Sequence, residues 1–351
     1  MGWLLLAALG LWLAGGRFGV GRAARAQVLG ALYLAILALH LVLPAAHPLR
    51  LATGGGAAPW LLLGALVGAV VLYRLVLTRL RVRADAIAQA RQPAMPLRSF
   101  SDAELNRYAR HIVMREIGGP GQKALKQARV LVIGAGGLGS PALMYLAAAG
   151  VGTIGVIDDD VVENANLQRQ VLHRDADIDR PKVQSAMDAL LAQNPHVTIH
   201  PYHRRLTAEI AADLLAEYDL VLDGTDNFDT RYLANRAAVA QGKPLVSGAL
   251  TQWEGQLSVF HPAAGAPCYQ CIFPQAPAPH LAPSCAEAGV LGPLPGVIGT
   301  MMAVETVKLI TGAGAPLRGE MMIYDALWGE TRKIALKRRP DCPVCGTKET
   351  T

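Results

Sequence analysis

Apolar positions along the chain fall into two regimes. In the first 84 residues they form nearly unbroken stretches, at 2–14, 28–43 and 60–77. Crossing a bilayer takes about 20 apolar residues, with a lower limit near 17. The third stretch meets that limit, and the second does when Ala26 and Ala45 are counted. The first is short enough to be a shallow span, an interfacial helix, or a signal-like anchor or peptide. The pattern predicts a membrane region over residues 1–84 with two or three transmembrane helices. Residues 85–99, rich in alanine and carrying Pro93 and Pro96, are predicted to be a linker.

From residue 100 onward the apolar runs shorten and alternate between two periods. Ser101 with Glu104 three residues on predicts a capped helix start, and Leu105, Tyr108, Ile112 and Val113 carry that helix forward. Gly118-Gly119-Pro120-Gly121 predicts a break before a short second helix. Arg129-Val130-Leu131-Val132-Ile133 is a short branched apolar run, as a buried parallel strand requires. It enters the turn Gly134-Ala135-Gly136-Gly137-Leu138-Gly139, and Ser140-Pro141 opens a helix. Strands are predicted at 153–157, 197–202, 219–223 and 244–247, and helices at 182–191, 206–216 and 231–241. Such alternation implies a mostly parallel sheet with helices on both faces. After Gly255 the pattern changes to a C-terminal antiparallel portion. Strands at 256–260 and 321–324 there are separated by a buried helix at 297–310.

Charge separates the same two regions. The chain has a formal net charge of +6, but residues 1–98 carry ten Arg, no Lys and one acid, Asp85. Residues 99–351 are therefore mildly acidic, which argues against reading the basic balance as a nucleic-acid footprint. Arginines cluster at 17, 22 and 25 and at 74, 79, 81 and 83, with only Arg50 between the second and third stretches. The positive-inside rule places the two clusters on the cytoplasmic side. Residues 84–351 are then expected in the cytosol, on a multi-pass inner-membrane protein.

The glycine turn lets the backbone approach a phosphate, and Asp158 at the next strand end stands where an acid holds a ribose. The turn alone is compatible with NAD, FAD or ATP. Further features narrow the field. Asn166-Leu167-Gln168-Arg169-Gln170 follows the acidic strand end, and Arg180-Pro181-Lys182 opens the next helix. An Arg and a Lys there can neutralise phosphate charge. Asp226, in Asp223-Gly224-Thr225-Asp226-Asn227, lies where open α/β sheets place ligands and could serve Mg²⁺. Arg107 and Arg110 share the early helix. Cys268-x-x-Cys271 and Cys342-x-x-Cys345 suit a closed tetrahedral zinc site better than a redox pair. Cys285 stands alone in the proline-rich stretch 274–295, which reads as a loop over the site. Its thiol is either a nucleophile or a small buried side chain. The histidines show no ligand spacing.

Taken together, residues 100–348 resemble the MoeB, ThiF and HesA family of ubiquitin-activating-like adenylyltransferases. The motifs that carry the likeness are Arg107-Tyr108-Ala109-Arg110-His111, the glycine turn, Asp158-Asp159-Asp160, Asn166 to Gln170, and Pro181-Lys182-Val183. Thr225-Asp226-Asn227, both cysteine pairs, Ala288-Gly289-Val290 and the run from Gly296 to Gly299 complete the set. Residues 1–98 have no counterpart in the usual soluble members. The resemblance implies a Rossmann-like fold and assigns roles. Gly134, Gly136 and Gly137 approach the ATP phosphates, and Asp158 holds the ribose. Asn166, Arg169 and Lys182 contact the phosphates, and Asp226 serves Mg²⁺ and the attacked α-phosphate. Arg110 reaches the partner subunit's ATP in a homodimer. Cys268, Cys271, Cys342 and Cys345 bind Zn²⁺. Cys285 falls where some members carry a sulfur-transfer cysteine that others dispense with.

The implied reaction is adenylation of the C-terminal glycine carboxylate of a small β-grasp sulfur carrier, MoaD-like or ThiS-like, with release of pyrophosphate. That places the chain in molybdenum cofactor, thiamine or another sulfur pathway. The residues after Cys345 leave no room for a further catalytic domain, so sulfur is expected from a separate protein. Three other readings compete. A Rossmann oxidoreductase explains the glycines and Asp158 but not Arg169, Lys182 or the cysteine pairs. A tRNA-modifying adenylating dehydratase of the same fold would bind nucleic acid, which the acidic balance disfavours. A membrane-tethered scaffold without catalysis would not need the ATP residues.

Overall fold

The structure is a computed structural model that describes residues 2–17, 21–44, 46–54, 56–90, 100–277 and 288–346. Contacts divide the chain into two units, Met1–Arg98 and Ser99–Thr351. The first unit is helical: α1 (Gly2–Arg17), α2 (Arg22–Val42), α3 (Pro48–Ala52) and α4 (Ala58–Ala90). Large apolar side chains such as Leu34, Leu41, Leu62 and Leu66 face outward. The turn between α2 and α4 is closed by polar contacts. His40 Nε2 lies 2.9 Å from Thr53 Oγ, Trp60 Nε1 donates to Thr53 O at 3.2 Å, and Tyr33 OH donates to Trp60 O at 2.8 Å. Within α2 a 19-residue segment, Ala24–Val42, is long and apolar enough to cross a membrane. The apolar part of α4, Ala58–Arg74, is shorter. α4 itself continues to Ala90, past the residue-84 boundary drawn from composition. The alanine-rich residues that suggested a linker are good helix formers, and the prolines that would stop them lie outside the described residues.

The second unit begins as the capping pair predicts. Ser101 Oγ accepts from Glu104 N at 3.3 Å, and Glu104 Oε2 accepts from Ser101 N at 2.9 Å. The helix then breaks at Tyr108, giving α5 (Asp102–Arg107) and α6 (Ala109–Ile112) in place of one continuous helix. Tyr108, at the break, is buried, and its hydroxyl accepts from Asn194 Nδ2 at 2.8 Å. The predicted breaker Gly118-Gly119-Pro120-Gly121 instead forms the first turn of α7 (Gly118–Gln127). A proline in a first turn removes only an N–H that has no helical partner.

There follow β1 (Arg129–Ile133), α8 (Gly139–Ala149), β2 (Thr153–Ile157), α9 (Lys182–Gln193), β3 (Thr198–Tyr202), α10 (Ala208–Ala216), β4 (Leu220–Asp223), α11 (Phe228–Ala240), β5 (Leu245–Leu250), β6 (Glu254–Phe260), α12 (Tyr269–Ile272), α13 (Pro293–Thr311), β7 (Glu320–Asp325) and β8 (Glu330–Ala335). One eight-stranded sheet has the order β3-β2-β1-β4-β5-β6-β7-β8. The first five are parallel and the last three antiparallel. α13 is as long and apolar as a membrane span, but Leu294, Ile298 and Met302 are buried against the sheet, so it is a core helix.

Alternation along β1 sorts the core into two layers. Val130 and Val132 pack with α7, α8, α9 and α13, while Leu131 and Ile133 pack with α10 and α11. The chain reverses direction across the sheet between β1 and β4, which opens a crevice at their carboxyl ends. Register brings those ends level, with Ile133 opposite both Ile157 and Asp223.

Candidate functional site

A cleft of about 920 Å³ occupies that crevice. Gly134, Gly136, Gly137, Asp158, Arg169, Lys182 and Asp226 all line it. Gly134 takes φ +94, a conformation that a side chain strains, and a Cβ there would lie 3.3 Å from Gly224 O. The two turns that wall the cleft, after β1 and after β4, meet backbone to backbone where Gly224 N donates to Ile133 O at 3.0 Å.

The peptide of Ala135 is held from both sides. Its N–H donates to Asp158 Oδ2 at 2.7 Å, and its carbonyl lies 2.9 Å from His173 Nε2. The other Asp158 oxygen accepts from Asp160 N at 2.8 Å. Asp158 thus braces the glycine turn as well as facing the cleft. Burial pushes its carboxyl up, and the Ala135 N–H and the Lys182 charge oppose that rise. Burial also holds the His173 imidazole below its ordinary range, so this side chain is a neutral strut.

Lys182 opens α9 with its ammonium in the cleft, 2.7 Å from Asp160 Oδ2. Arg169 donates to Ala165 O and to Asn166 Oδ1, each at 3.2 Å. Asn166 is outside the cleft wall and reaches it through Arg169. The neighbouring Gln170 is buried and lines the cleft, and its Oε1 has no hydrogen-bond partner among the described residues. Asp226 is exposed at the cleft edge, and one carboxylate with substrate phosphates is a usual set for Mg²⁺. Arg110 is exposed on α6 and does not line the cleft. Cys285 lies outside the described residues.

Several cleft residues were missed in the sequence. Arg204 and Arg205 stand at the carboxyl end of β3, where their strand-end position was the available signal. Arg231 carries no motif that marks it. It lies one turn into α11, which starts three residues earlier than predicted because Asn227 Oδ1 caps Thr230 N at 2.9 Å.

The four paired cysteines converge beneath α11. Cys268 Sγ is 3.9 Å from Cys271 Sγ and 3.6 Å from Cys342 Sγ, and Cys271 Sγ is 3.3 Å from Cys345 Sγ. These separations exceed a disulfide bond. A tetrahedral ion with Zn–S bonds near 2.3 Å would space its sulfurs about 3.8 Å apart. All four sulfurs are buried and within 4.8 Å of one another, a closed donor set for one divalent cation. The donor set fits structural zinc, which would tie the C-terminal segment to α12.

Residues 108–344 match the ThiF family. The chain is 51% identical over 255 residues to a sulfur carrier protein adenylyltransferase of Thermus thermophilus, covering 72% of this chain and 94% of that protein. It is 50% identical to the probable adenylyltransferase/sulfurtransferase MoeZ of Mycobacterium tuberculosis, over 71% of this chain and 64% of that one. Mouse adenylyltransferase and sulfurtransferase MOCS3 is 47% identical over 74% of this chain and 56% of its own. The chain therefore spans less than two thirds of those last two relatives. Among solved structures, PaaA superposes with a TM-score of 0.60 at 21% identity, over 75% of this chain and 83% of that one. Escherichia coli MccB with MccA gives 0.59 at 24%, over 69% and 74%. At such identities these two show the shared fold alone.

Proposed function

The chain belongs to the ThiF family, and from that premise we propose that it adenylates the C-terminal carboxylate of a small sulfur-carrier protein. One observation carries the reading: a glycine turn, Asp158, Arg169, Lys182 and Asp226 line a single cleft at the strand ends. A carboxylate is a poor acyl donor, because its leaving group would be oxide. One of its oxygens attacks the α-phosphorus of ATP. The bond from that phosphorus to the bridging oxygen breaks, and pyrophosphate leaves. The product is an acyl-adenylate with AMP as its leaving group, ready for displacement by a sulfur donor.

The chain's own groups serve that step by position and charge. N–H groups at the start of α8 face the phosphates. Lys182 and Arg169 take up charge on the departing pyrophosphate, and Asp158 meets the ribose. Mg²⁺, held by Asp226 and the phosphates, would neutralise charge on ATP. Arg110, exposed on α6, is assigned to the neighbouring cleft of a homodimer. The test is ATP–pyrophosphate exchange by the full-length protein with MoaD-like and ThiS-like carriers ending in Gly-Gly. Exchange with one carrier alone names the pathway. Bound ATP without exchange for any carrier would refute the assignment.

Residues 1–84 are proposed to anchor the enzyme in the inner membrane, with the adenylating unit in the cytosol. Outward-facing leucines on α2 and α4, and arginines concentrated at their cytoplasmic ends, support this topology. A reporter fused after Thr351 should be cytosolic. A protected C-terminus outside that membrane would overturn the topology and deny the cleft its ATP.

A further inference from the structure

The carboxyl end of β4 hides a charged network that the adenylation chemistry does not use directly. Asp223 is fully buried, and register sets it opposite Ser247 of β5. One carboxylate oxygen accepts from Thr225 N at 3.1 Å and Thr225 Oγ at 2.6 Å. The other accepts from Ser247 Oγ at 3.0 Å. Arg231, itself 6% exposed, lies 3.8 Å from that oxygen. Its guanidinium donates to Thr225 O and lies 3.5 Å from Ser247 Oγ.

The turn 224–226 is therefore clamped at both poles of one residue. Asp223 takes the Thr225 N–H, and Arg231 takes the Thr225 carbonyl. The next residue is Asp226. A buried ion pair is a poor source of stability, because desolvation offsets its attraction, and apolar replacements of similar volume are often neutral or better. What such a pair supplies here is direction. A planar guanidinium can serve several acceptors at fixed angles, which a point-charge ammonium cannot.

We propose that Arg231, with Asp223, is a positioning residue that sets the Asp226 carboxylate at the cleft edge. Its catalytic consequence rests on the adenylation reading above. Because Gly224 N donates to Ile133 O at 3.0 Å, the same clamp fixes the spacing between the Asp226 turn and the glycine turn.

The test uses the full-length protein in detergent. Arg231→Met alone leaves a buried unpaired carboxylate and is expected to melt early. Asp223→Asn combined with Arg231→Met removes both charges and is expected to melt near the wild type. In that double variant kcat for ATP–pyrophosphate exchange should fall on the order of 100-fold. KM for ATP should stay within about threefold of the wild type. Amide hydrogen exchange should quicken at 224–227 and not in β3. Arg231→Lys retains the charge and N–H donors but not the planar fork, and should recover part of kcat. Wild-type kcat in the double variant overturns the proposal, and so does a lost kcat with unchanged amide exchange at 224–227. If the wild type shows no pyrophosphate exchange with any carrier, the adenylation reading fails and amide exchange decides alone. Quickening at 224–227 then supports the clamp, and unchanged rates overturn it.

Discussion

Lys182→Met separates the work of a cleft charge from its contribution to folding. The Lys182 side chain is 5% exposed, while its partner Asp160 is 62% exposed. Removing the ammonium returns Asp160 to water, and although Asp158 loses a favourable charge it keeps its bonds from the Ala135 and Asp160 N–H groups. Methionine occupies the volume of the apolar stem, so the stability change should be about 1 kcal/mol or less. The effect on chemistry is larger. An ammonium about 4 Å from a phosphate charge, at an effective dielectric near 20, gains about 4 kcal/mol. Asp160 cancels part of this, and only the share that grows as pyrophosphate departs accelerates the step. Loss of one such preorganised group costs about 10²–10³ in rate. The expected result is a fall of that size in kcat/KM for ATP–pyrophosphate exchange, with a nearly unchanged melting midpoint. A loss below about fivefold, or a parallel collapse of stability, would refute the placement of this charge on the departing pyrophosphate.

Three further outcomes follow from the geometry. Gly134→Ala should cost about 1–3 kcal/mol in thermal denaturation, because alanine disfavours φ +94 and its Cβ would press on Gly224 O. Elemental analysis should find one zinc per chain, lost in Cys342→Ser together with resistance of the C-terminal segment to proteolysis; a wild-type protein without zinc would contradict the cysteine geometry. His173 is held below its ordinary 6.5 by burial, so the unfolded chain binds more protons as pH falls below that value. Its contribution to stability is complete above 6.5 and is lost as pH falls toward the lowered folded value. His261 acts in the same sense and the raised Asp158 in the opposite one. The readout is therefore the difference between variants: His173→Gln should melt with a shallower pH slope than the wild type between about pH 7.5 and about pH 5.5. An identical slope would show that His173 does not carry it.

The parts legible in the sequence were those whose cause is local. A branched apolar run followed by glycines makes a strand and a phosphate turn whatever surrounds it, and β1, Gly134 and α8 stand where the pattern put them. The Ser101–Glu104 cap is equally local. The misreadings have a common origin in remote partners. Gly118–Gly121 breaks an isolated helix, yet here it starts one that packs against α13. Tyr108 continues a helical pattern, but α5 ends there, where the Tyr108 hydroxyl meets Asn194, 86 residues away. β8 was invisible because all six of its residues are exposed, so no apolar face announces it. Pairing with β7 alone makes it a strand.

The sequence by itself determined the alternation of elements, the glycine turn, the charged groups that follow it and the two matched cysteine pairs. Each depends on neighbours within a few residues, and residue type at short spacing specifies it. Only the tertiary structure decided that β4 lies beside β1, which joins Asp226 to the glycine turn across one crevice. It also brought cysteines 74 residues apart to within 3.3–3.6 Å and set Arg231 beneath Thr225 against a buried Asp223. Strand order and helix packing are settled by burial of the whole apolar surface, a global condition that no local run of residues encodes.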